Sequence, residues 1–222
     1  MAFRRRFVRS RAPRRRYLGF RKRRQTKTRS RKYHRRRTSG NLTLLCRKTV
    51  LQEVTGPNAF TVQISPKLKE IDEASPFIAQ FEAFRIHSVT VRVRPHFNFA
   101  EAESPVSPYY IAPWHKPVTN INAEIIRSID KCRTYNGTSV AKRSFVPAVL
   151  SSIADADKPG TTKFAKTNWR PRIEIVGEAA DVAHYCGVIY FSGSKGASPA
   201  RKLYYELETT CKVTFYNQKH YA

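Results

Sequence analysis

No aspartate or glutamate occurs before Glu53, so nothing in roughly the first quarter of the 222-residue chain offsets its positive charge. Most of that charge sits in residues 1–37, and a segment of that kind repels itself and has few apolar groups to bury, which argues against a folded core there. Long apolar runs are also missing. No stretch approaches a membrane span, and the N-terminus lacks the apolar centre of a secretion signal, so membrane insertion is not expected. Cysteine is sparse: Cys46, Cys132, Cys186 and Cys211 stand far apart, without the paired spacing of a metal site. Three of them lie in strand-like runs, so buried free thiols are expected rather than zinc or disulfides. There is no Gly-rich phosphate loop, HExxH, CxxC or nucleophile elbow. The six histidines are scattered without ligand spacing. Asp155 and Asp157, before Lys158-Pro159-Gly160, read as a solvated turn. No catalytic residue, metal or cofactor is expected.

What is there begins with arginine. Residues 1–37 carry sixteen Arg and three Lys, which is +19 of the formal +26. They are Arg4, Arg5, Arg6, Arg9, Arg11, Arg14, Arg15, Arg16, Arg21, Lys22, Arg23, Arg24, Lys27, Arg29, Arg31, Lys32, Arg35, Arg36 and Arg37. Such an arm needs a polyanion. Lys and Arg displace the counterions condensed on nucleic acid, which gives salt-dependent binding without sequence preference. Arg also forks onto phosphate with two hydrogen bonds, so its excess over Lys points to phosphate contact. Tyr17, Phe20 and Tyr33, with Phe3 and Phe7, are interleaved and suited to stacking on unpaired bases, or alternatively to tethering the arm to the body. Two dense blocks also fit a nuclear localisation signal: Arg14, Arg15, Arg16, Arg21, Lys22, Arg23 and Arg24, then Arg35, Arg36 and Arg37. Import receptors and phosphates want the same charges, so both roles stand.

Residues 38–222 have the size of one domain, and their net charge is only +7. The pattern is strand after strand. Residues 42–55 end at Gly56-Pro57, and 59–65 alternate. In 81–94, Phe84 and Ile86 share one face, but the apolar set then moves to Val89, Val91 and Val93. That parity slip near His87-Ser88 predicts a β-bulge or a change of partner. Shorter strands are expected at 109–112, 140–146 and 171–176. Residues 184–192 are continuously apolar, as for a strand buried on both faces. Residues 203–217 alternate most regularly of all. Ser75-Pro76 reads as an N-cap with Pro at the first helical position, and Ile121, Ile125 and Ile129 predict a small helix. Residues 96–107 and 148–169 read as long polar loops. Eight strands with no alternating helical pattern of ten to fifteen residues argue against a parallel α/β fold and suit an antiparallel double-sheet jelly roll, with another β-sandwich or a closed barrel as the structural rival.

The order of these features resembles the capsid proteins of circular Rep-encoding single-stranded DNA viruses, the circovirus and cyclovirus group. The segment FEAFRIHSVTVRVRP at 81–95 carries most of the likeness, with TTCKVTFYN at 209–217 and the 184–193 run. The resemblance implies one eight-stranded jelly roll, with sheets BIDG and CHEF, behind a disordered arm. On that pattern strand B is 44–55, C 59–65, D 82–95, E 108–113, F 140–146, G 171–176, H 184–192 and I 203–217. It also implies self-assembly of sixty copies into a T = 1 icosahedral shell, and packaging of the circular single-stranded DNA genome. The virion and the host cell nucleus are the implied locations. The further partners are host nuclear import receptors and, for host-cell attachment, sulfated glycans. Sixty arms would neutralise on the order of 1,100 phosphates, compatible with partial compensation of a genome of a few thousand bases. The alternative is a cellular nucleic-acid-binding protein with a basic tail, as in ribosomal proteins. Such tails are richer in Lys, and their bodies are smaller and mixed α/β. An enzyme on a β scaffold is disfavoured by the missing motifs.

Overall fold

A computed structural model of the protein describes residues 40–55, 57–96, 106–119, 121–154, 162–193 and 202–219. Its strands in chain order are β1 (Leu42–Thr55), β2 (Phe60–Ile64), β3 (Phe81–His96), β4 (Tyr109–Pro113) and β5 (Arg133–Tyr135). They continue with β6 (Ala141–Phe145), β7 (Ala148–Ala154), β8 (Thr162–Trp169), β9 (Ile173–Glu174), β10 (Gly187–Phe191) and β11 (Lys202–Gln218). The short helices are α1 (Ser75–Ile78) and α2 (Ala123–Ser128).

Two antiparallel sheets form the expected jelly roll. The first runs β1-β11-β3-β6, with β9 also on β3; the second runs β2-β10-β4-β5. Long strands with strict alternation make the centre of the first sheet. β3 and β11 pair along nearly their whole length, and their register shifts once. Lys212 faces Ser88, Val213 faces Ile86, and His87 is the extra residue. The parity slip in the sequence is therefore a bulge. It lets Phe84 and Ile86 on one side of it, and Val89, Val91 and Val93 on the other, all point into the same core. β10 is buried at all five positions, as its unbroken apolar run requires.

The strand assignment differs from expectation in four places, and the start of one helix in a fifth. Residues 140–146 were expected in the sheet with C, H and E, but β6 pairs Val89–Val93 of β3 in the first sheet. The fourth strand of the second sheet is β5, three residues where no strand was expected. The 171–176 strand shrinks to β9, which holds Ala83 and Phe84 at the other end of β3. β3 thus shares one edge between two short strands. The 148–169 segment forms the β7–β8 hairpin rather than a loop. The helix at Ser75 is capped by Ala74, with no side-chain cap bond, so Ser75 is inside the helix.

Two apolar layers result. The first lies between the sheets, where Phe84, Tyr109, Ile189, Phe191, Tyr205 and Phe215 are all buried. Tyr205 lies 4.5 Å from Phe191 and 5.9 Å from Tyr109, centroid to centroid. The second covers the far face of the second sheet, where Ile126 of α2 packs on Tyr110, Ala112, Val188 and Tyr190. The helix exists as the isoleucine spacing predicts, but the residue it buries is Ile126; Ile125 is 42% exposed. Asn122 caps it by accepting a hydrogen bond from the Ile125 N–H at 2.9 Å.

Arg143 ties the sheets together at the β6 edge. Its guanidinium donates to the carbonyls of Ile111, at 2.9 Å, and Lys131, at 2.8 Å. Gly187 makes room nearby. A Cβ there would stand 2.8 Å from the Ala112 carbonyl and 3.0 Å from the Phe145 ring, so only glycine fits without displacement.

Candidate functional site

All nineteen basic residues of 1–37, and Tyr17, Phe20 and Tyr33, lie outside the described residues. So do Asp155, Asp157, Lys195 and Arg201. The candidate surface within the body is the outward face of the first sheet, set by the alternation of β1, β11 and β3. Outward positions come into register as Thr43–Thr214–Arg85 and Leu45–Lys212–Ser88 at one end. At the other end they are Thr49–Glu208–Arg92 and Leu51–Glu206–Arg94.

The second of these ends is neutralised. Arg94 reaches Glu206 at 3.2 Å and Glu208 at 2.9 Å; His96 lies 3.1 Å from Glu206. Lys202 meets Glu53 at 2.8 Å, so its charge is engaged in a surface pair. Hydrogen bonds from His96 and Arg94 hold the Glu206 carboxyl below the usual range.

The first end has cations without carboxylates. A shallow hollow is lined by Thr43, His87, Ser88, Arg170, Lys212 and Thr214. Arg170 adopts a left-handed backbone (φ 49°) where β8 ends, and its N–H donates to the Pro147 carbonyl at 3.0 Å. Thr214 hydroxyl is the node of the floor, 2.9 Å from both the Thr43 hydroxyl and His87 Nε2. Burial, then the positive field of Arg85, Lys212 and Arg170, keeps His87 below its ordinary pKa and favours the neutral ring. Arg85 and Arg172 both lie over the Tyr216 ring, at 6.0 and 4.9 Å. Arg85 Nε is buried and has no hydrogen-bond partner. Among the described residues, Arg85, Arg170, Arg172 and Lys212 make no ion pair. Glu82 and Glu174 stand at the margin, lining a neighbouring hollow with Arg172 and Lys219; Glu82 accepts a hydrogen bond from Asn217 at 2.9 Å.

Sequence reasoning missed this face because its residues are spread from Thr43 to Tyr216 and only the strand register brings them together. The signal present was the outward parity of 81–94 and 203–217.

The cysteines are free thiols, as expected; Cys46, Cys186 and Cys211 are buried and Cys132 is partly so. Cys46 and Cys211 face each other across β1 and β11. Burial pushes the Cys211 thiol up to about 12, so it stays protonated. Among the described residues no cluster of three His, Cys, Asp or Glu is placed to hold a metal, and no helix is long and apolar enough to cross a membrane.

Comparison with known proteins agrees with this architecture. The capsid protein of Human associated cyclovirus 1 is 27% identical over 173 residues, covering 77% of this chain and 78% of its own. The crystal structure of the 60-mer BFDV capsid protein superposes with a TM-score of 0.65 at 15% identity, over 83% of this chain and 98% of that one. The decameric BFDV capsid protein gives 0.53 at 16% identity, over 79% and 99%. At those identities the two structures speak for the fold alone. The family profile described as circovirus capsid protein matches residues 2–219, nearly the whole chain. This protein belongs to the circovirus capsid protein family: it is a viral capsid protein, structural rather than catalytic in role.

Proposed function

We propose that the protein assembles into a T = 1 shell of sixty copies and packages a circular single-stranded DNA genome through residues 1–37. The observation that carries this reading is the acid-free run of sixteen Arg and three Lys joined to a jelly-roll body. The body provides shape; the arm provides a sequence-independent grip on phosphate. A relative of the same fold described as a 60-mer supports the copy number. Exposed apolar side chains support subunit contact. Trp169 is 56% exposed and stands edge-on to His115 at 4.6 Å, and Val140, Val146 and Val176 are also exposed. Before assembly, the blocks at Arg14–Arg24 and Arg35–Arg37 address the chain to the host cell nucleus through import receptors. After assembly, the outer surface attaches to host cells, with sulfated glycans as ligands.

Electron microscopy and sedimentation of the expressed protein test the shell. Particles of uniform size are expected; a monomer at every salt concentration, with nucleic acid present, overturns the reading. Deleting residues 1–37 is expected to abolish nucleic-acid content and nuclear accumulation while the β domain stays folded. Wild-type DNA content in that deletion would refute the role of the arm.

A further inference from the structure

We propose that the folded body carries a second contact for the packaged strand: the carboxylate-free end of the first sheet's outward face seats phosphates of single-stranded DNA. This rests on the packaging reading above. The hollow floored by Thr43, Ser88, Thr214 and His87 offers hydroxyl donors, and Arg170 and Lys212 offer charge. A phosphodiester needs that combination, since a monoanion wants hydrogen bonds to its oxygens and a positive field around it. No carboxylate lines the hollow to compete. Arg85, in register with Thr214 on the same face, adds positive field beside the hollow. The Tyr216 ring lies under both Arg85 and Arg172, which keeps these cations on this end of the face.

Position selects nucleic acid over another polyanion. The chain enters β1 beside this end of the sheet. Asn41 Oδ1 accepts from the Asn217 N–H at 3.5 Å, and Thr43 is already part of the floor. DNA held by residues 1–37 is therefore linked, through a few residues of chain, to the body that carries the hollow. Even weak phosphate contacts there benefit from the high effective concentration that tethering gives.

The test uses the full chain and an oligo(dT) probe, with binding followed as salt is raised. R85Q/R170Q/K212Q removes three cations from the face. R92Q/K142Q/R133Q removes three exposed cations elsewhere. Each lost phosphate contact on a single strand lowers the slope of log K against log salt by about 0.7. The first variant is expected to lose about 2 from the slope and the second to match the unaltered chain. K212Q alone, at an exposed position, is expected to lose about 0.7, and the charge-keeping R85K/R170K/K212R to keep the full slope. Equal slopes in the two triple variants overturn the proposal. So does an unchanged DNA slope with lost heparin binding by assembled shells, which would turn this face outward. If the unaltered chain binds oligo(dT) without salt dependence, the packaging reading fails first and takes this inference with it.

Discussion

The two sheets treat their outward faces in opposite ways. The second sheet is covered by its own chain: α2 and the flanking connection lay Ile121, Ile126 and Ile129 over Tyr110, Val188 and Tyr190. Among the described residues nothing comparable covers the first sheet, whose outward positions include hydroxyls, cations, the ion-paired Glu206 and Glu208 and the exposed Leu45 and Leu51. A face that buries little has no stability reason to be apolar, so its chemistry is free to serve a partner. The contrast separates a polar surface open to a partner from a face that the fold finishes by itself.

The largest break in that contrast comes from the covered face. Ile126→Ala is expected to cost about 2–5 kcal/mol in urea unfolding, because a fully buried side chain leaves a cavity. Leu45→Ala on the bare face is expected to stay within about 0.5 kcal/mol. Similar costs for both would mean the two faces are equally covered.

Between the sheets, His184 sharpens the same point through pH. It is buried against Phe84, its Nδ1 lies 2.9 Å from the Val182 carbonyl, and Nε2 has no partner. Burial lowers its pKa to about 4, against an ordinary 6.5. The unfolded chain therefore takes up a proton that the folded chain refuses. Stability is full above about pH 6.5 and falls by on the order of 3 kcal/mol as pH drops toward 4. Denaturation curves at pH 7 and pH 5 measure this, and His184→Asn is expected to flatten the part of the profile due to this residue.

Gly187→Ala comes next. The added Cβ strikes the Ala112 backbone, and an expected loss of about 1–3 kcal/mol is readable as a lowered Tm. The smallest effect belongs to the bare face. Lys202→Ala removes a half-exposed pair with Glu53, and less than about 1 kcal/mol is expected in the same unfolding measurement.

How much was legible in the sequence depended on whether a residue's surroundings are local. Alternation over 203–217 and the unbroken run at 184–192 reported β11 and β10 correctly, because burial on one face or two writes directly into side-chain polarity. The β7–β8 hairpin was missed: Ser151, Ser152, Lys163 and Lys166 look like loop residues because the ribbon is a separate two-stranded sheet. β5 was missed because three residues carry too little periodicity. The sheet to which β6 belongs depends on its partner, Val89–Val93, and nothing within 140–146 encodes that choice. The cationic hollow was unreadable for the same reason. Its six lining residues come from four separate segments, and pairing, not proximity in sequence, assembles them.

The extra residue at His87 also sets how this chain tolerates length changes. Without it the strand would carry Phe84, Ile86, Val89, Val91 and Val93 at strict two-residue spacing, all still facing the core, and Ser88 would follow Ile86 as Val213 follows Lys212 on β11. Its loss removes the local bend and the contact with the Thr214 hydroxyl, and keeps the register. A residue lost between Val89 and Val91 has no such escape, because it turns the apolar positions on one side of it to the outward face. Deletion of His87 is therefore expected to leave the chain folded, and deletion of Thr90 to be far more costly.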